Sequence, residues 1–323
     1  MNDKLYDFFF NSFLNPLLSD NDITDIYYNG KDFFYLSNNK GRQKANISAN
    51  QEYIYNFIRQ IANMSEKLFS ISNPILDVSI QNFRINAVHS SISRKKHEKV
   101  ITFAIRKANN TYNVTSILKR LPKKILRYFK KALSEKQSII ICGNTGSGKT
   151  EWQKYLISLI EKNSRLIVID NIEELSIMNN DQLDITFWQV DENSNHIDLN
   201  GLISNSLRFN PDWTIIAESR GKEMNAILTS VLTGHPIILT MHAKNLDLLP
   251  ARIMQMILQD ESAIRNTEIL ERDIYSAFNI GVHLKVEKSR GKIIRYIDEI
   301  KEFYPDQTTK IIYKYERKYK KLK

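Results

Sequence analysis

Ile139-Ile140-Ile141-Cys142-Gly143-Asn144-Thr145-Gly146-Ser147-Gly148-Lys149-Thr150 joins an apolar run to a glycine-rich loop that closes on lysine and threonine. A polyphosphate must be met by many convergent backbone donors, so glycines belong where a side chain would obstruct close approach. Gly143, Gly146 and Gly148 meet that need, with Asn144, Thr145 and Ser147 between them. A helix opening at Lys149 adds free N–H groups and the positive end of its dipole. Lys149 then reaches the β- and γ-phosphates, and the Thr150 hydroxyl is available to magnesium. The preceding apolar run is the buried strand that such a loop follows. The stretch predicts strand, phosphate loop and helix, with a nucleoside triphosphate and Mg2+ as ligands. By itself it does not separate a motor from a switch or a kinase.

Working outward, strand-like and helix-like segments alternate. A basic helix, Lys123 to Leu133, precedes the loop; after it come Lys149 to Ile160, Leu166 to Ile169, Trp213 to Ala217, Met224 to Leu232 and Ile237 to Met241. This order predicts an α/β domain with a mainly parallel sheet covered by helices on both faces. The start of the chain reads differently. Asn29-Gly30 separates Ile26-Tyr27-Tyr28 from Phe33-Phe34-Tyr35-Leu36 as a hairpin would, and Ile54, Phe57, Ile58 and Ile61 fall on one stripe of a helix from Gln51 to Met64. Phe83, Ile85 and Ala87 alternate with Arg84, Asn86 and Val88, and Val100 to Ile105 is another β-like run. An α+β domain over 1–108 follows. The polar Asn109, Asn110, Thr111 and Asn113 mark a linker over 109–118, and the α/β domain spans 119–323. The aromatic cluster Phe8-Phe9-Phe10 and Phe13-Leu14 either completes the local core or docks on a membrane or partner.

A chain of 323 residues, 42% hydrophobic and 25% charged, has room for two such domains and is too apolar for extended disorder. One cysteine, Cys142, excludes an internal disulfide and a four-cysteine zinc site. His89, His97, His196 and His283 lack metal-ligand spacing, so no zinc is predicted. No secretory signal pattern and no apolar run of about 20 residues is visible, and the expected place is the cytoplasm. The net charge of +10 is spread along the chain, with two denser clusters, Lys119 to Lys131 and the tail Arg317, Lys318, Lys320, Lys321 and Lys323. Both point to an anionic partner, nucleic acid or lipid, against the alternative of a solvated basic face.

Further motifs narrow the class. Leu207 to Gly221, which contains Asp212-Trp213-Thr214-Ile215-Ile216-Ala217-Glu218-Ser219-Arg220-Gly221, resembles the Walker B region of the secretion traffic ATPases, the ring motors of type II and type IV secretion, type IV pili and conjugation. Thr233-Gly234-His235-Pro236 through His242-Ala243-Lys244-Asn245 is similar to that family's histidine box. Ile169-Asp170-Asn171-Ile172-Glu173-Glu174-Leu175 resembles its acidic box. Arg84-Ile85-Asn86-Ala87-Val88 and Ile105-Arg106-Lys107 resemble two arginine-bearing segments of the family's N-terminal domain. Glu218-Ser219-Arg220-Gly221 and Gly234-His235-Pro236 look most like the type IV secretion, conjugation and Tad-pilus branch. Two departures stand out: Ala217 where the family has Gly, and Asp170-Asn171 where it has Glu-Asp, which removes a charge beside the expected magnesium site.

The resemblance implies a RecA-like second domain and a homohexameric ring. It places the ring on the inner face of the cell membrane, among the inner-membrane components of a secretion, conjugation or pilus machine. It also implies roles. Glu218 orients or polarises the attacking water. His242 touches the γ-phosphate or its neighbours, and His235 either joins it or caps its strand. Asp170, with Glu174, serves the magnesium shell or caps the next turn. Arg84 and Arg106 approach phosphate oxygens or are plain surface residues. Arg208 and Arg220 either neutralise transition-state charge across a subunit boundary or anchor the Walker B turn. Rival readings are a RecA-like nucleic-acid motor, favoured by the charge, and a weakly hydrolysing ring component, favoured by Asp170-Asn171.

Overall fold

The alternating runs at the start of the chain become strands of one antiparallel sheet. The protein is seen here in a computed structural model that describes residues 2–38, 40–107, 114–170, 175, 184–190, 198–259, 266–289 and 292–316. The basic tail and Glu174 lie outside the described residues. The chain divides into two compact units, one built on the segment up to Thr111 and the other on most of the chain from Tyr112 onward.

The first unit runs α1 (Asn2–Phe10), α2 (Asn15–Leu18), β1 (Ile23–Tyr28), β2 (Phe33–Ser37), β3 (Gly41–Lys44), α3 (Gln51–Met64), β4 (Ile75–Ile80), β5 (Phe83–Val88), β6 (Arg94–Lys95), β7 (Glu98–Lys99) and β8 (Thr102–Lys107). Six strands form a sheet in the order β3-β2-β1-β8-β5-β4, and β6 pairs with β7 separately. The Asn29-Gly30 turn forms because Asn29 Oδ1 accepts from the backbone of Lys31 and Asp32, at 3.1 and 2.9 Å. Asn50 caps α3, its side chain accepting from Tyr53 N at 2.7 Å, and the helix buries Ile54, Phe57, Ile58, Ile61 and Ala62 on one face. Phe9 and Leu14 are fully buried in this core, so the aromatic cluster completes the local packing.

The second unit runs α4 (Thr115–Leu118), α5 (Lys123–Ser134), β9 (Ile139–Gly143), α6 (Lys149–Ile157), β10 (Arg165–Ile169), β11 (Asp184–Trp188), α7 (Leu199–Ser206), β12 (Trp213–Ser219), α8 (Met224–Leu232), β13 (Ile237–Met241), α9 (Leu249–Ile257), α10 (Thr267–Ala277), β14 (Ile280–Ser289), β15 (Lys292–Phe303) and β16 (Thr309–Lys314). Its sheet has the order β11-β10-β12-β13-β9-β14-β15-β16. The pairings β10–β11, β10–β12, β12–β13, β13–β9 and β14–β9 are parallel, and β15–β16 is antiparallel. Both faces are buried. Ile139, Ile141, Leu166, Val168 and Ile215 join one core with Phe129 of α5 and Trp152 of α6. Ile140, Cys142, Ile167, Ile169 and Ile216 join the other with residues of α7 to α10. Burial pushes the Cys142 thiol up to about 12, against the opposing charge of Lys149, so it behaves as an apolar core group.

Three details differ from the sequence expectation. Within the expected linker 109–118, residues 109–113 lie outside the described residues, and Thr115–Leu118 is helical with Ile117 buried. α6 ends at Ile157 rather than Ile160, where Leu159 and Ile160 close the helix with turn hydrogen bonds. The strands β14 to β16 carry charges at strand positions, which hides their period-two signal. Several of those charges find their partners across strands: Asp298 holds His283 and Lys285 at 3.1 Å each, and Glu299 holds Lys314 at 2.9 Å.

The two supports of α3 differ in size. Ile58→Ala, at a fully buried site, is expected to cost about 2–5 kcal/mol, whereas Asn50→Ala, which removes only the cap, costs about 1 kcal/mol. Urea unfolding checks the order; equal midpoints for the two variants contradict it.

Candidate active site

Parallel alignment sends the C-terminal ends of β9, β10, β12 and β13 to one edge of the sheet, and the expected site residues follow those ends. After β9 the loop turns at Gly143, whose φ of +150° suits glycine. A Cβ there would lie 2.3 Å from the Leu284 carbonyl of β14 and 2.8 Å from Ser147 Oγ. The chain then enters α6 at Lys149. The Lys149 side chain is buried and folds back over its own loop, Nζ donating to the carbonyls of Gly143 at 3.0 Å and Asn144 at 3.4 Å.

Two neighbouring strands complete the arrangement. His242, just past β13, sets Nδ1 3.5 Å from Lys149 Nζ and Nε2 2.8 Å from Glu218 Oε1. Glu218 lies in β12 where the register against β13 shifts between Ile216 and Ser219, and Thr240 Oγ1 donates to the freed Ala217 carbonyl at 2.5 Å. Such a bulge re-aims side chains. The other carboxylate oxygen of Glu218 accepts from Arg220 Nε at 2.9 Å and Nη2 at 2.5 Å. The result is one line of contacts: Lys149, His242, Glu218, Arg220.

The electrostatics match this order. Burial raises the Glu218 carboxyl, but the Arg220 hydrogen bond and charge, with the charge of Lys149, outweigh it and hold the group below its ordinary value. Burial lowers His242, and the Lys149 charge lowers it further against the opposing pull of Glu218. Around neutrality Glu218 is therefore ionised and His242 neutral. The distances suit an imidazole that donates from Nε2 to Glu218 and accepts at Nδ1 from Lys149.

Several holding residues carried no motif. Gln153 of α6, fully buried, donates to the carbonyls of Ile216 and Ile238 at 2.9 and 3.1 Å and so ties the helix after the loop to β12 and β13. Glu223 Oε1 pins the turn after Glu218, accepting from Ser219 Oγ at 3.0 Å, Arg220 N at 2.5 Å and Gly221 N at 2.9 Å. Arg295 of β15 donates to the Gly146 carbonyl at 2.8 Å. Gln153 and Arg295 are not detectable before the strands are paired, since their partners are distant in the chain, whereas Glu223 acts within its own turn.

The remaining candidates lie as follows. Asp170 is buried just past β10, and its Oδ2 accepts from Leu175 N at 2.6 Å, the turn-capping use of a short carboxylate. His235 stands at the opposite end of β13 from His242, its Nδ1 3.3 Å from Thr233 Oγ1. Arg208 is exposed in a single 3-10 turn, Leu207–Phe209. In the first unit Arg84 and Arg106 face each other across β5 and β8, and Arg84 makes a two-pronged ion pair with Asp77 at 3.0 and 2.7 Å.

The loop fits a polyphosphate. Ser147 Oγ is buried with no hydrogen-bond partner among the described residues, and a Cβ at Gly146 would meet nothing within 4 Å. No group of three His, Cys, Asp or Glu residues suited to a metal exists among the described residues. A magnesium ion that takes most of its oxygens from phosphate and water has no need of one.

Strand, glycine loop, buried lysine and an acid on a nearby parallel strand define a P-loop nucleotide-binding protein. Residues 73–280 match the family described as Type II/IV secretion system protein. The chain belongs to this family. It is 30% identical over 294 residues to an uncharacterized protein of Bacillus anthracis, a match covering 87% of this chain and 65% of the relative. It is 27% identical over 164 residues to the type IV secretion system protein VirB11 of Brucella suis, covering 49% of this chain and 45% of that one. The chain thus spans less than two thirds of either relative's length. Among solved structures, the ATPase DotB of Legionella pneumophila shares the fold with a TM-score of 0.66 at 19% identity, covering 91% of this chain and 80% of that one.

Glu218→Gln removes the one charge that raises His242, so the His242 titration measured by NMR should move further below its ordinary value. An upward or absent shift contradicts the contact line. Gly143→Ala should abolish nucleotide binding measured by calorimetry, because the new methyl meets the Leu284 backbone; retained affinity contradicts this reading of the loop.

Proposed function

We propose that the protein hydrolyses ATP to drive a membrane-associated type IV secretion, conjugation or pilus-assembly machine. The observation that carries the reading is the line from Lys149 through His242 to Glu218, which ends at an ionised carboxylate. Gly143 to Thr150 hold the phosphates, and Lys149 leaves its loop carbonyls for the β- and γ-phosphate oxygens. Glu218 orients the attacking water, and neutral His242 couples the phosphate-side lysine to that carboxylate. Thr150 and Asp170 would hold magnesium, which when bound neutralises phosphate charge. Arg84 and Arg106 of the N-terminal domain, 1–108, are assigned to nucleotide oxygens. Domain 119–323 carries the chemistry, and the linker near Asn109 to Thr111, outside the described residues, is the lever that converts hydrolysis to motion. Arg220, paired with Glu218, keeps the carboxylate occupied, which supports a slow basal rate as the second reading.

The same proposal includes a homohexameric ring on the inner membrane face, engaging the membrane components of such a machine, and membership of the Type II/IV secretion system protein family supports it. No helix among the described residues is long and apolar enough to cross a membrane.

Phosphate release from purified protein tests the chemistry. Lys149→Ala should abolish it, and Glu218→Gln should lower turnover about a hundredfold or more with ATP still bound. Normal steady-state hydrolysis by Glu218→Gln would sink the assignment. A particle of six subunits with an ATP analogue and magnesium is the expected size; a monomer under those conditions removes the ring.

A further inference from the structure

The outward face of α5 carries a feature that nucleotide chemistry does not use. Lys123, Lys124, Arg127, Lys130 and Lys131 are all exposed, and at 3.6 residues per turn they fall within an arc of about 120°. The opposite face, Ile125, Phe129, Ala132 and Leu133, is buried in the core. Acidic neutralisation is sparse: the first turn holds no acid, and Lys131 meets Glu135 at 3.5 Å with both side chains well exposed.

Local stability does not explain this array. Lys123 and Lys124 sit at the positive end of the helix dipole, where cations are unfavourable. Arg127 has like charges at i−4, i−3, i+3 and i+4, each spacing repulsive on a helix. The buried face holds α5 in place despite this repulsion, and an arriving anionic surface relieves it.

We propose that this face of α5 docks on a bilayer containing anionic lipid. A plane of headgroups can meet five cations on one convex face at once, and a cluster of four to eight Lys and Arg residues on an amphipathic helix suits such a surface. Duplex DNA is the competing anionic partner, and the face is four parts lysine to one arginine, point charges suited to a plane of headgroups rather than to the bidentate reading of base edges. Single strands lack a stacking platform, since Tyr128, the ring nearest the array on the helix, is half-buried and donates its hydroxyl to Glu302 at 2.9 Å. The inference deepens the membrane-side placement above by naming the contact. It is independent of hydrolysis.

Vesicle sedimentation of the full chain without nucleotide tests it. Binding to phosphatidylcholine vesicles with about 30% phosphatidylglycerol should exceed binding to phosphatidylcholine alone and be lost as salt rises. Replacing Lys123, Lys124, Arg127 and Lys130 together by Gln should weaken it about tenfold or more, with an unchanged circular dichroism spectrum and unchanged phosphate release. Lys149→Ala should bind vesicles as the parent does, so failure of the nucleotide reading leaves this result intact. If the Gln variant does not fold, Lys123→Arg, Lys124→Arg and Lys130→Arg together must retain vesicle binding, and its loss overturns the proposal. Equal binding to both vesicle types, or a folded Gln variant that binds as tightly as the parent, overturns it as well. So does displacement of bound vesicles by duplex DNA at equal phosphate, which would assign the face to nucleic acid.

Discussion

Two-sided burial of the central parallel strands is the constraint on which the second unit depends. Ile139 and Ile141 of β9 enter one core while Ile140 and Cys142 enter the other, and β10 and β12 divide in the same way. A strand apolar on both faces has nowhere to place a functional side chain along its length, so chemistry is confined to the strand ends. Parallel pairing sends those ends to one edge. Gly143, Glu218 and His242 meet there for that reason.

Close approach at that edge then does two jobs. Gly143 lies where a Cβ would strike the Leu284 carbonyl, so the absence of a side chain that exposes backbone donors to phosphate also permits β14 to pack beside β9. Gln153 extends the economy by filling two strand carbonyls from the helix that the loop opens. The loop is held as much by its neighbours as by its own glycines.

The charges form a sequence of opposing signs with a neutral imidazole in the middle. Glu218 stays ionised despite substantial burial because Arg220 occupies one oxygen and His242 the other. The Arg220 turn is in turn fixed by Glu223. Of the two uses open for Arg220 in the sequence, this unit displays the ion pair that anchors the turn.

Local sequence determined the elements whose signals are local. The hairpin at Asn29-Gly30, α3 with its stripe, the loop from Gly143 to Thr150 and the strands around it were legible because turn chemistry, helical period and apolar runs act over a few residues. Motif spacing likewise brought out Lys149, Glu218 and His242 as candidates. Tertiary structure alone decided what depends on pairing. β14 to β16 stay hidden while Asp298 and Glu299 lack their cross-strand partners. Gln153 and Arg295 acquire a purpose only when distant carbonyls are folded onto them. Glu218 and His242, 2.8 Å apart from adjacent strands, become a pair because a bulge in β12 turns one toward the other, a geometry that no spacing along the chain encodes.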